Sequence, residues 1–526
     1  MAEMSTLVIR GCDFITQAPN RIFTVDDFSG DEKLMIETAE AFSRNEVVAI
    51  AERLDKQEDG LMQGLIRKTG ELGLLGVDAP ESYGGLGLGK NLAARILEFL
   101  SLNGSFSVTF GVTSGISQIG LALFGTEEQR QKYLPKIVSG EWIGAYCLSE
   151  PNSGSDALSA TTRADRRDGK WILNGTKMWI SNAKWADFFL VMAKIDGEKF
   201  SAFLVERDFP GVRIEREEHK MGLKGSSTAR VTLENAEVPL ENLLYEEGLG
   251  HHVAFNALNM GRFKLSSMSI GPAREAITVA AQYALDRKQF GQPIANFGLI
   301  QQKFADMASR FFVAESMIYR TGANIDEAFD AFAGTTEGNR KAAEEFAIEC
   351  SACKVMSTEI EAFIVDEAFQ CYGGYGFTEE FPIARIYRDA RISRIYEGTN
   401  EINRIFLADR YLKKKAAGQA PELKGQGTFI SELCAKAGSI QPVGQVQMGA
   451  LSDLIMLLYA DQSVTLAGKQ RGGIFEALSA HARNWLNLEA VRAYQRLTGE
   501  AVSVPAPEPV SIEEIANAVY QKLGPL

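Results

Sequence analysis

Apolar residues recur at three- and four-residue spacing in DEKLMIETAEAFSRNEVVAIAERL and in NLAARILEFLSLNGS, which predicts helices over residues 30–145. Between them, ELGLLGVDAPESYGGLGLGK reads as loop. The texture changes near Trp142. WIGAYCLSE, KWILNGT, DFFLVMAKI, KFSAFLVE and ARVTLENAEV are short and rich in Val, Ile, Phe and Trp, with turns such as DGK, NGT and DGE between them. They predict an antiparallel β-domain of about 100 residues. Helical periodicity returns near His251 and continues to about Lys415. Residues 412–428, LKKKAAGQAPELKGQGT, read as a linker, followed by helical pattern over about 429–497. A second linker, TGEAVSVPAPEPV, precedes SIEEIANAVYQKL, where Ser511 and Glu514 fit a capping box.

The expected fold class is therefore α+β. It comprises an N-terminal helical domain (30–141), a middle antiparallel β-domain (142–248), a C-terminal helical bundle (249–411) and a helical C-terminal extension (429–526). Strands do not alternate with helices and no GxGxxG follows a strand, which argues against a Rossmann fold.

Composition narrows the function classes. The 526 residues are 45% apolar and 23% charged, a globular balance. The net charge of -13 disfavours a bulk nucleic-acid binder. Six scattered cysteines suggest a reducing compartment. Cys350 and Cys353 form a lone CxxC in a helical stretch, which reads as two buried small side chains one turn apart. The four histidines belong to no HExxH pattern, so no metal is expected. Gly84, Gly89 and Lys90 nearly match a phosphate-binding loop, but Asn91 stands where Ser or Thr belongs, and a surface turn is the better reading. The best apolar run, Leu454 to Tyr459, falls far short of the roughly 20 residues that span a bilayer. MAEMSTLVIRGCDF has no leader pattern, so the expected location is cytoplasmic.

Four segments carry candidate chemistry. YCLSEPNSGSDA (146–157) packs hydroxyls and backbone amides into an irregular loop, which can receive a heteroaromatic ring or a pyrophosphate. In KMWISNAKWAD, strand alternation places Trp179 and Ser181 on one face, where an indole and a hydroxyl can cover a flat cofactor. YALDRKQFGQPI closes a long helix with Arg287, Lys288, Phe290 and Gly291. In QCYGGYGFTEEFPIARIYRDARISRIYEGTNEINR (370–404), Gly373, Gly374 and Gly376 allow close backbone approach to a ligand. Glu397 follows, at a glycine-flanked break between helical stretches, where a carboxylate can reach into a cavity.

Together with LGLLGVDAPESYGGLGL and FGTEEQRQKYLP, these segments in this order resemble the acyl-CoA dehydrogenases over about residues 30–410. The resemblance implies FAD as cofactor and an acyl-CoA thioester as substrate. It makes Glu397 the catalytic base. Tyr146, Leu148, Ser149, Gly154, Ser155, Trp179, Ile180 and Ser181 fall on flavin-contacting positions. Arg287, Phe290, Gln370, Gly373 and Gly374 match positions that reach FAD across a subunit interface, and Thr399 and Glu401 match contacts just beyond the base. On the substrate side stand Ser155 again, Asn259 and Arg262 of LNMGRF, Tyr396 and Gly398. Serine replaces the family's usual threonine at Ser149 and Ser181, keeping the hydroxyl but losing the methyl that stiffens it. Some relatives carry the base just before the arginine of LNMGRF; here that residue is Gly261, which leaves Glu397 as the expected sole base.

The pattern is closest to the very-long-chain branch. That implies oxidation of long-chain acyl-CoA to trans-2-enoyl-CoA in fatty acid β-oxidation, with electrons passed to an electron-transferring flavoprotein. In that branch the extension replaces half of a tetramer, so a homodimer is expected. Only about 115 residues follow the core here, a shortening that bears against the branch's membrane attachment. The alternatives are a short- or branched-chain acyl-CoA dehydrogenase and a non-catalytic assembly protein of the same fold.

Overall fold

The computed structural model describes residues 10–332 and 335–526. Residues 1–9, over which the absence of a leader pattern was read, lie outside the described residues. The chain divides into two units. The first comprises Asp31–Lys264 with Phe332–Glu344, and the second comprises Met1–Gly30, Leu265–Ala331 and Glu345–Leu526. The helix Gly250–Asp286 contributes residues up to Lys264 to the first and from Leu265 to the second.

The first unit opens with the expected helices, including Gly30–Phe42, Leu61–Glu71 and Lys90–Leu100. Gly104–Phe124 is helical on both sides of a kink at Gly115 and is long and apolar enough to cross a membrane, although 78% of its most apolar window is buried inside the protein. This corrects the reading that no run reaches that length. Serine and threonine interrupt the stretch without breaking its helix, and it is a core element. Within it Val112–Ser117 forms a π-helical turn around Gly115. The displaced carbonyl of Ser114 accepts a bond from Lys264 Nζ at 2.9 Å, and Lys264 in turn pairs with Asp78 at 3.2 Å. The lysine of the apparent phosphate loop is engaged here too: Lys90 Nζ donates to the Asp78 carbonyl at 2.7 Å. Glu127–Val138 begins with a capping box in which Thr126 and Gln129 satisfy each other's backbone N–H groups.

The β-domain has eight strands: β1 (Gly144–Cys147), β2 (Arg163–Arg167), β3 (Lys170–Ser181), β4 (Phe188–Ile195), β5 (Lys199–Glu206), β6 (Val212–Glu217), β7 (Thr228–Pro239) and β8 (Leu243–Leu244). Their order is β6-β7-β3-β2-β4-β5-β8, with β1 joined to β4. Pairing is mostly antiparallel, as expected, but β1 and β2 both run parallel to β4. Nearly every residue of β4 is buried, which explains why DFFLVMAKI reads as a continuous apolar run and not as an alternating one. Its Phe189 and Val191 share a core with Trp171, Phe203, Val205, Leu233 and Val238, each worth about 1.5–3 kcal/mol of burial for a large aliphatic or phenyl side chain.

The second unit is helical. Gly298–Ala331, Ala347–Tyr372 and Asn400–Ala416 pack with the extension helices Gly444–Arg471, Ile474–Thr498 and Ile512–Lys522. Of the capping box expected at Ser511, the structure shows the hydroxyl accepting from the Glu514 N–H at 3.2 Å. Cys350 and Cys353 are both buried, and burial pushes the Cys353 thiol up to about 12, which removes its nucleophilic form.

The sequence gives no warning of what residues 10–27 do. Phe14 packs on Tyr459 with ring centroids 4.8 Å apart, and its carbonyl accepts from Gln462 Nε2 at 2.8 Å. The backbone N–H and C=O of Ile22 both bond the Gln470 amide at 2.9 Å. The segment is thus stitched to the extension.

Candidate active site

In the first unit, β1 runs into the loop that begins at Leu148. Met178 N–H donates to the Ser149 carbonyl at 2.9 Å, which fastens this loop to β3 just before Trp179. Deeper down, Lys177 is fully buried and Glu150 is 3% exposed. Lys177 Nζ lies 2.7 Å from Glu150 Oε1 and also donates to the Leu148 carbonyl at 3.2 Å. Glu150 further accepts from the Thr161 N–H at 2.6 Å, the Thr161 hydroxyl at 2.8 Å and the Thr162 N–H at 3.0 Å. Burial alone would raise the Glu150 carboxyl, but the adjacent ammonium and these hydrogen bonds outweigh it and hold the group at about 2.

β3 carries a bulge between Lys177 and Ile180 in its pairing with β7. Trp179 sits in the bulge with a φ of 57°. Up to that point the core face holds Trp171, Leu173 and Lys177; beyond it the phase slips and Ile180 turns inward. Trp179 is therefore 58% exposed, not the core tryptophan that its composition suggests. Ser181 is half-buried, on the same alternate positions as Trp179, and Ile180 between them is buried. Tyr146, Leu148 and Ser149 are half-buried, and Gly154 and Ser155 are exposed. A Cβ on Gly154 would meet nothing within 4 Å, so the loop backbone is open to a ligand. An exposed indole beside hydroxyls and open backbone amides suits a flavin, so the residues present fit FAD. Asn259 and Arg262 are buried on Gly250–Asp286, with Arg262 donating to Asn259 at 3.2 Å.

The second unit carries the remaining candidates. After Asp286 the helix gives way to a two-residue hairpin: Lys288–Gln289 pairs with Gln292–Pro293 around Phe290 and Gly291, whose φ values are 50° and 81°. Two left-handed residues make the tight turn that asparagine–glycine pairs usually make, and Phe290 stands at its tip, 92% exposed. The Arg287 guanidinium lies over the Tyr375 ring at 5.3 Å. This brings it to the loop of Gln370, Gly373 and Gly374, all three exposed.

Glu397 lies between the short helix Arg391–Arg394 and Asn400–Ala416, as its glycine-flanked setting predicts. Its φ is 55° and that of Gly398 is 82°. A left-handed conformation costs a non-glycine residue roughly 1–2 kcal/mol, so the surroundings hold it. Asn403 Nδ2 donates to the carbonyls of Gly398 at 2.7 Å, Thr399 at 3.1 Å and Glu397 at 3.4 Å. Lys354, fully buried on Ala347–Tyr372, donates to the Gly398 carbonyl at 2.9 Å and to Asn400 Oδ1 at 2.7 Å. Thr399 caps the following helix by accepting from the Ile402 N–H at 3.2 Å. The backbone N–H of Glu401 and the Thr399 hydroxyl hold the Glu401 carboxyl below its usual range. Burial drives the Tyr396 phenol well above its ordinary value, and the carboxyls of Glu361, Glu397 and Asp389 add to the rise. Glu361 is itself buried, and desolvation shifts its carboxyl upward from the ordinary glutamate value.

The residues around these sites escaped sequence reasoning: Glu150, Lys177, Lys354, Asn400 and Asn403. Two of them leave a signal. Lys177 occupies the strand phase of Trp171 and Leu173, and Lys354 sits in a helical stretch, residues 347–358, in which every residue is buried. A lysine at a core position implies a dedicated partner.

Residues 29–141, 145–236 and 248–412 match the models of the acyl-CoA dehydrogenase N-terminal, middle and C-terminal domains. The chain belongs to the acyl-CoA dehydrogenase family, whose members are FAD-dependent oxidoreductases. It is 46% identical to a probable acyl-CoA dehydrogenase of Bacillus subtilis over 82% of this chain and 74% of that one. It is 41% identical to the mitochondrial very long-chain specific acyl-CoA dehydrogenase of Macaca fascicularis over 73% of this chain, and the match spans 57% of that relative's length. The crystal structure of an acyl-CoA dehydrogenase complexed with FAD from Bacillus anthracis superposes with a TM-score of 0.91 at 37% identity, covering 99% of this chain and 100% of that one.

Proposed function

We propose that this protein dehydrogenates long-chain acyl-CoA thioesters to trans-2-enoyl-CoA in fatty acid β-oxidation, acting as a homodimer that passes electrons to an electron-transferring flavoprotein. The observation that carries the reading is Glu397: a carboxylate on a left-handed turn, anchored through its main chain by Asn403. Its side chain takes the substrate's α-proton on a carboxylate oxygen. Its backbone N–H donates to the thioester carbonyl oxygen, where negative charge develops as that proton leaves. Gly261, at the other position where relatives carry a base, has no side chain to compete.

Ser149, Ser155 and Ser181 would supply hydroxyls to hold FAD, and the Trp179 indole would lie against its ring. Arg287 would reach the FAD of a second subunit, and Thr399 would contact the cofactor just beyond the base. FAD, when bound, supplies the two-electron oxidant that accepts the β-hydrogen as hydride. Phe290 and Phe377, 92% and 88% exposed, are the side chains that a subunit contact of the dimer would cover. The long-chain preference is supported by Gly261 and by likeness to very long-chain relatives. Each further methylene that the protein buries adds about 0.8 kcal/mol.

The test is anaerobic stopped-flow bleaching of the flavin. Glu397→Gln keeps the side chain's size, and the variant is expected to stay yellow and bleach about 10²–10⁴-fold more slowly with palmitoyl-CoA. Bleaching within tenfold of the parent rate would place the base elsewhere. A parent enzyme that bleaches fastest with butyryl- or isovaleryl-CoA would replace the long-chain reading with the short- or branched-chain one.

A further inference from the structure

We propose that Lys354 is a positioning residue for the base, clamping the turn that carries Glu397; the proposal rests on the reading of Glu397 given above. A fully buried ammonium is costly to desolvate, and a helical stretch in which every residue from 347 to 358 is buried gains nothing from one unless it bonds to something specific. Lys354 Nζ bonds at 2.9 Å to the carbonyl of the residue immediately after the base. Its second bond, to Asn400 Oδ1 at 2.7 Å, fixes the first residue of the helix that leaves the turn.

The bonds around Asn400 tie that contact back to the lysine's own helix. Asn400 Nδ2 donates to Thr358 Oγ1 at 3.1 Å, and the Thr358 hydroxyl donates to the Lys354 carbonyl at 2.8 Å. The Gly398 carbonyl is thus gripped from two sides, by Lys354 and by Asn403, while Asn403 also reaches the Glu397 carbonyl. The two peptide planes that follow the base are fixed, and with them the left-handed φ of Gly398. The carbonyl side of the Glu397 Cα, from which its carboxylate side chain projects, is thereby held in place. Charge-assisted bonds from an ammonium to a carbonyl are stronger than neutral ones, which suits a clamp on a strained turn.

A loosened clamp misplaces the base without removing it. Small misplacements of a reacting group cost up to about 10²-fold in rate. In FAD-loaded Lys354→Met, the limiting rate of flavin bleaching by palmitoyl-CoA is expected to fall about 10–100-fold. The dissociation constant for palmitoyl-CoA and the flavin content should stay near the parent's, and Lys354→Arg should restore part of the rate. Amide hydrogen exchange over residues 396–403, measured by mass spectrometry on the same protein, should accelerate. Asn403→Ala, which leaves the buried lysine in place, should move rate and exchange in the same direction. Lys354→Met and Asn403→Ala proteins with parental bleaching and parental exchange would overturn the proposal. A slow Glu397→Gln beside a parental Lys354→Met removes the clamp alone. A fast Glu397→Gln removes the base itself, and exchange over 396–403 then still reports whether the clamp exists.

Discussion

Two turns that carry the proposed cofactor and base residues are each secured by a completely buried lysine, and they are secured differently. Under the loop Leu148–Ser155, Lys177 pairs with a carboxylate, and Glu150 collects three further bonds from Thr161 and Thr162. Under the Glu397 turn, Lys354 grips a main-chain carbonyl and a side-chain amide oxygen. The first is a charge pair that keeps a whole loop in register with its strand. The second acts on a single peptide beside one strained residue. A loop that offers many weak contacts to a cofactor tolerates an anchor some residues away, whereas one reacting carboxylate requires a hold on the adjacent bond.

The contrast can be broken most forcefully at Lys177. Lys177→Met leaves Glu150 charged and buried without its partner, an arrangement that costs about 3–5 kcal/mol. The variant should unfold at markedly lower denaturant and be purified with little flavin, and Lys177→Met combined with Glu150→Gln should recover much of the loss. A single variant as stable and as yellow as the parent would show that the pair does not hold the loop.

Acid sharpens the comparison. Glu150 titrates near 2 in the fold against an ordinary value of 4.5, so its contribution is present above 4.5 and is lost as pH falls from 4.5 towards 2. The Gly398 carbonyl and the Asn400 amide oxygen that accept from Lys354 do not titrate. In the second unit Glu349 behaves in the opposite sense. Burial raises its carboxyl to about 7, so its contribution is full below 4.5 and is lost as pH rises from 4.5 through 7. Hydrogen exchange followed from pH 7 to pH 3 should show residues 148–162 loosening on the acid side. Protection around Cys12, whose N–H donates to Glu349 at 2.6 Å, should strengthen on that side. Parallel behaviour of the two regions would refute the assignment.

The smallest effect belongs to Thr399. Thr399→Ala removes the cap on Asn400–Ala416 and should cost about 1 kcal/mol in denaturant unfolding. Asn403 and Lys354 still hold the Gly398 carbonyl, so exchange at the Glu397 turn should hardly change. A large acceleration there would mean that the cap, not the lysine, holds the turn.

The helix–sheet–helix order was legible in the chain because each region has one dominant period. Glu397 was legible as a loop carboxylate because Gly398 and Thr399 follow it at a break in helical pattern, and its candidacy as the base came from the family resemblance. What escaped is what depends on contacts distant in sequence or on local departures from regular geometry. The parallel pairing of β1 and β2 with β4 leaves no mark in either strand's own residues. The bulge at Trp179 shifts the phase of alternation within a single residue, so exposure there follows from backbone and not from hydrophobicity. The hairpin at Phe290–Gly291 was hidden because phenylalanine replaces the asparagine or aspartate that normally announces such a turn.

The stitching of residues 10–27 to the extension bears on how the chain folds as it is made. Gln470 bonds Ile22, and Gln462 bonds Phe14, each across 448 residues of sequence. Synthesis proceeds from the N-terminus at about 5–20 residues per second, so this segment emerges before its partners and waits on the order of half a minute or more for them. Until then Phe14 has no Tyr459 to cover it. The segment is therefore among the last pieces to dock, and the closing of this contact marks completion of the second unit.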